Sequence, residues 1–89
     1  MRIKSIHYTE HFAIDFRILP KIVQKKALKA EKLFRQNPFY PSLRLHKLKG
    51  KLHGSWSISI DRKYRIIFKS LNDGVIIFGS IGMHDIYDG

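Results

Sequence analysis

The chain has 89 residues, 44% of them hydrophobic, and no cysteine; this suits one domain, residues 1–89, with a modest core, and it excludes disulfides, thiolate metal sites and cysteine nucleophiles. Seventeen Lys and Arg against seven Asp and Glu give a formal charge of +10, which on a folded surface fits nucleic acid, an acidic protein or an anionic membrane. No segment approaches the roughly 20 apolar residues of a bilayer span, and neither a signal-length apolar stretch nor a lipidation motif is found, so the membrane is set aside and a cytoplasmic location is expected.

In chain order, Ile3, Ser5 and the segment Ile6 to Tyr8 read as a short first strand, with Thr9 as N-cap of the helix that follows. Phe12, Phe16 and Leu19 give that helix one apolar face before Pro20 breaks it. Proline suits a first helical turn, so Pro20 also starts a second helix, in which Val23, Ala27, Ala30 and Phe34 form the apolar stripe. Lys21, Lys25, Lys26, Lys29 and Lys32 fall largely off it. Asn37-Pro38 ends the helix, because a residue before proline is pushed away from helical torsions, and Phe39-Tyr40-Pro41 is a rigid connection.

Beyond it come a short segment around Leu43 to Leu48, a strand from Trp56 to Asp61, a turn at Arg62-Lys63, a strand from Tyr64 to Ser70 and a turn at Asn72-Asp73-Gly74. Val75 to Phe78 is apolar on both faces and reads as a central strand, with Gly79 and Gly82 relieving crowding near its end. This order predicts an α+β fold. An N-terminal strand and a helix pair pack on one face of a small, largely antiparallel sheet of about four or five strands, and the other face is left for a ligand.

Arg44, Lys47, Lys49 and Lys51, with His46 and His53, lead into the alternating run Trp56 to Ile60. If Trp56, Ile58, Tyr64, Ile66 and Phe68 point into the core, then Ser57, Ser59, Asp61, Arg65 and Lys69 share the free face. Cutting RNA without a metal needs a base for the ribose 2′-hydroxyl, cations for the phosphorane charge and an acid for the departing 5′ oxygen. His84 and His46 are the candidate base and acid, and Arg65 is the candidate phosphate clamp. The plainer alternatives are solvated histidines, a salt bridge from Arg65 to Asp61 or Asp85, and a lysine run that only protects a strand edge. Tyr87 either stacks on a base or covers the core edge. His7 and His11 lack a third metal ligand, and neither a Gly-rich phosphate loop nor a nucleophile elbow occurs, so no metal or cofactor is expected.

The ordered set His46-Lys47-Leu48-Lys49-Gly50, Gly54-Ser55-Trp56-Ser57-Ile58-Ser59-Ile60, Tyr64-Arg65-Ile66-Ile67-Phe68 and Ile81-Gly82-Met83-His84-Asp85 resembles the RelE/ParE toxin superfamily. It looks closest to the YafQ-like, RelE/StbE branch, and the likeness covers nearly the whole chain. The resemblance implies a toxin of a type II toxin-antitoxin system, neutralised by an acidic antitoxin. Many members cleave mRNA in the ribosome, whereas the ParE branch poisons DNA gyrase. By position it implies active-site roles for His46, His84 and Arg65. Lys47, Lys49, Lys51, Arg62 and Lys63 are then expected to hold RNA phosphates, with Tyr87 near a base.

Three departures stand out. Ser59 stands where ribonuclease branches place His or Lys, and Lys63 where YafQ-like members place Asp. The ending at Tyr87 is one residue shorter than in near relatives. The expectation is a ribosome-dependent mRNA endoribonuclease, an mRNA interferase that inhibits translation. The alternatives are a gyrase inhibitor without nuclease chemistry and an inactive antitoxin-binding relative.

Overall fold

Thr9 closes the first strand and opens the first helix with one side chain. Its hydroxyl accepts from the Phe12 N–H at 3.0 Å and donates to the Gly79 carbonyl at 2.9 Å, so the N-cap also ties the helix to the sheet. The computed structural model describes residues 1–83. Within them the elements are β1 (Ser5–Tyr8), α1 (Glu10–Arg17), α2 (Lys21–Gln36), β2 (His46–Lys47), β3 (Trp56–Ser59), β4 (Tyr64–Ser70) and β5 (Val75–Met83). The expectations placed on His84, Asp85 and Tyr87 lie outside the described residues.

The helices pack on one face of a five-stranded sheet of order β1-β5-β4-β3-β2. β1 runs parallel to β5, and the other pairings are antiparallel. β5 therefore lies between two strands, in keeping with the apolar run Val75 to Phe78 at its start. At Gly79 it carries a bulge, because Ile67 faces Ser80 while Phe68 faces Phe78.

α2 buries Val23, Ala27, Ala30 and Phe34 as its spacing predicts. Phe34 is wholly buried, with its ring 5.0 Å from that of Phe68 and 5.9 Å from that of Phe78. Leu43, Ile58, Ile66 and Ile76 complete the centre of the core. Trp56 is half-buried at its rim, stacked on Phe68 at 6.4 Å. Among the described residues no helix is long and apolar enough to cross a membrane.

Two sequence expectations are corrected. The segment around Leu43 to Leu48 pairs over only His46–Lys47, since a 3₁₀ turn at Pro41–Leu43 and a left-handed residue at Arg44 precede it. The sheet face opposite the helices is not open at its centre: Ser57 is 0% and Ser59 9% exposed. Alternation fixes the side to which a residue points, but depth depends on its neighbours. Ser57 stands between His46 and Ile67, both with larger side chains.

Gly74 holds a left-handed turn at φ 77° where β5 begins, and a Cβ there would lie 2.6 Å from the Arg2 carbonyl oxygen. Its own carbonyl accepts from Lys4 N–H at 2.8 Å, which starts the β1–β5 pairing. Gly74→Ala is expected to lose about 1–3 kcal/mol, read as a lowered urea midpoint with an unchanged slope.

Candidate active site

The register of β2, β3, β4 and β5 sets the site. His46 faces Ser57, Ser57 faces Ile67 and Ile67 faces Ser80, so these four share one row. The next row on the same face is Ser59, Arg65 and Gly82. His46 and Arg65 are thus two strands and one row apart, roughly 12 Å between Cα atoms for ordinary sheet spacings. An imidazole and a guanidinium on their side chains can address one phosphodiester across that span.

His46 is exposed, and its Nδ1 lies 2.9 Å from the Arg44 carbonyl oxygen. A carbonyl only accepts, so Nδ1 carries the proton. In the neutral ring Nε2 then bears the free lone pair, the form a general base requires. Arg44 makes this contact from a left-handed backbone, φ 48° and ψ 49°.

Arg65 is half-buried, and its side chain makes no ion pair or hydrogen bond with a described residue. The salt bridge to Asp61 does not form, because that carboxylate is used in the β3–β4 turn. Its Oδ1 accepts from the N–H groups of Lys63 and Tyr64, each at 2.8 Å, and its Oδ2 lies 3.4 Å from Lys26 Nζ. Partial burial pushes the Asp61 carboxyl up, but the N–H groups of Tyr64 and Lys63 and the Lys26 ammonium together outweigh it, and the group stands below the ordinary carboxylate range.

A depressed folded pKa means stability that is complete above the unfolded carboxyl's value, ~3.9, and is lost as pH falls through the folded one. Asp61→Ala is expected to lower stability by about 1–2 kcal/mol near pH 7. Urea denaturation across pH should show the gap narrowing only below about pH 4.

The cations expected to meet RNA fall in three places. Lys47 lies on the other side of β2 from His46, with its ammonium 5.2 Å from the centre of the Trp56 ring. Lys49 and Lys51 are exposed at the 3₁₀ turn Gly50–Leu52, whose Gly50 has φ 68°. Arg62 and Lys63 are exposed in the β3–β4 turn. His7 and His11 have separate neighbours, Ser5 Oγ at 3.2 Å and Asp15 Oδ2 at 3.1 Å. Arg44, read from the sequence only as one cation of a run, is the residue given too little weight. Its left-handed backbone and its place beside Arg65 on one hollow set it apart, and a run of like cations does not signal either.

Residues 8–84 match a family described as the RelE-like toxin of the type II toxin-antitoxin system HigB. The chain belongs to that family. The HigB-like chain also shares its fold with solved toxins. YafQ from E. coli strain BL21(DE3) superposes with a TM-score of 0.78 at 21% identity, covering 97% of this chain and 99% of that one. The E. coli DinJ-YafQ toxin-antitoxin complex gives 0.75 at 21%, covering 97% and 98%. The YoeB-YefM complex from Staphylococcus aureus gives 0.72 at 23%, covering 94% and 99%. None of the curated protein sequences is similar enough to this chain to count as a match.

Proposed function

We propose that this HigB-like toxin is a ribosome-dependent mRNA endoribonuclease that inhibits translation in the cytoplasm, acting as one domain and neutralised by an acidic antitoxin. The observation that carries the reading is the pairing, on one sheet face, of a His46 ring whose Nε2 is free with an Arg65 that no described residue neutralises.

In the proposed step His46 Nε2 takes the proton of a ribose 2′-hydroxyl, and the 2′ oxygen bonds to the adjacent phosphorus. Arg65 faces the equatorial oxygens with two parallel N–H groups as negative charge grows. The bond from phosphorus to the 5′ oxygen then breaks, and His84 supplies the proton that the leaving oxygen takes. The products are a 2′,3′-cyclic phosphate and a 5′-hydroxyl. His46 and His84 can exchange these duties, as microscopic reversibility allows. Lys49, Lys51, Arg62 and Lys63 hold neighbouring phosphates, Lys47 adds charge at the β2 edge, and Tyr87 meets a base.

The surplus of ten positive charges favours rRNA and mRNA, and equally an acidic antitoxin segment that folds over the basic face. Primer extension in a purified translation reaction tests the reading, with His46→Ala and a ribosome-free mixture as controls. Cuts that need ribosomes and weaken in the variant are expected. Intact mRNA together with inhibited supercoiling in a purified gyrase assay would replace the nuclease by a gyrase poison. Intact mRNA with gyrase unaffected would leave an antitoxin-binding relative.

A further inference from the structure

Arg44, just before the short β2 pairing, and Arg65 on β4 line one hollow with Ser59, which pairs with Arg65. Two arginines therefore share the wall of this hollow with a buried serine. The short side chain of Ser59 leaves a depression of about 490 Å³ between them, with Ser42, Asp61 and Arg62 also on its wall.

The charge of this hollow is unbalanced. Its one carboxylate, Asp61, already serves the turn N–H groups and Lys26. Among the described residues Arg44, Arg62 and Arg65 take part in no ion pair. Guanidinium groups gathered around one space repel each other and favour an anion between them, and their planar forks fit phosphate oxygens. Arg44 also keeps a left-handed backbone that glycine or asparagine would adopt at less cost, an outlier that directs attention to its side chain.

We infer that Arg44 and Ser59 form a second phosphate subsite beside Arg65, which holds the phosphodiester next to the one that Arg65 clamps. The identity of the ligand as RNA rests on the reading under Proposed function. The positive charge comes from Arg44 on the neighbouring chain segment, and the short Ser59 makes room for the phosphate and offers a hydroxyl to it.

The test uses the full chain and two probes, a 2′-O-methylated trinucleotide with two phosphates and a dinucleotide with one. Binding is followed by NMR on the arginine Nε–H signals. The native chain is expected to bind the trinucleotide about tenfold tighter than the dinucleotide, with the Arg44 and Arg65 signals both moving. Arg44→Gly and Arg44→Asn both suit the left-handed backbone. Each is expected to bind the trinucleotide no better than the dinucleotide, with the salt slope reduced by about 0.7. Equal trinucleotide affinity in the native chain and both variants, or an Arg44 signal that stays still while that of Arg65 moves, would overturn the subsite. The binding assay involves no ribosome and no cleavage. If translation reactions gave no cuts, the nuclease reading would fail while this result stood.

Discussion

Arg65→Ala is expected to slow mRNA cleavage on the ribosome about 10²–10³-fold, the cost of removing one group aimed at developing transition-state charge. Arg65 emerges from β4 opposite Ser59 on one side and Gly82 on the other, so its backbone is held on both flanks. Its guanidinium is tied to no described residue, and removal should change stability by less than about 0.5 kcal/mol. Arg65→Lys keeps the charge but loses the two-pronged fork, and should recover only part of the rate. Single-turnover cleavage on programmed ribosomes, read beside urea denaturation of the same variants, separates the roles. A large fall in urea midpoint for Arg65→Ala would make this residue structural.

Phe34→Ala carries the largest expected effect on stability, about 3–5 kcal/mol. Phe34 is the deepest point of α2 and the place where that helix meets both central strands, through Phe68 and Phe78. Removing the ring leaves a cavity that Ala30 and Leu43, themselves fully packed, cannot fill. A small domain has only about 5–15 kcal/mol in total, so the variant should be partly unfolded at moderate temperature. Circular dichroism during urea titration checks this, and a midpoint near that of the native chain would show that the core collapses around the gap. Phe34→Leu, which keeps most of the volume, should lose much less.

The helix layer was legible because its signals are local. Thr9 is a cap by its side chain, Pro20 and Asn37-Pro38 mark ends by torsion, and Val23, Ala27, Ala30 and Phe34 repeat at helical spacing. Alternation likewise placed Ser59 and Arg65 on one face, as the β3–β4 register has them. What the sequence concealed depends on contacts between distant segments. The parallel pairing of β1 with β5 joins Ser5 to Val75 across most of the chain, and no local pattern announces it. The depth of Ser57 and Ser59 depends on the side chains beside them.

Arg44 was obscured for a similar reason. Within the run from Arg44 to Lys51 all cations look alike, yet the fold separates them. Arg44 reaches the hollow beside Arg65, Lys47 sits over Trp56, and Lys49 and Lys51 lie on a separate turn. Lys47 lies on the core-rim side of β2, whereas the left-handed turn at Arg44, just before the strand, leaves that residue on the wall of the hollow.

In the proposed mechanism a ribose 2′ oxygen activated at His46 attacks the phosphorus, and one substitution in the RNA tests that step directly. An mRNA is prepared with a single 2′-deoxynucleotide on the 5′ side of a mapped cut, and its cleavage in the purified translation reaction is compared with that of the all-ribose message. This cut is expected to disappear while others on the same message persist, and the all-ribose fragments are expected to carry 5′-hydroxyl and 2′,3′-cyclic phosphate ends. Equal cutting at the deoxy position, or fragments with 5′-phosphates, would rule out attack by the 2′ oxygen.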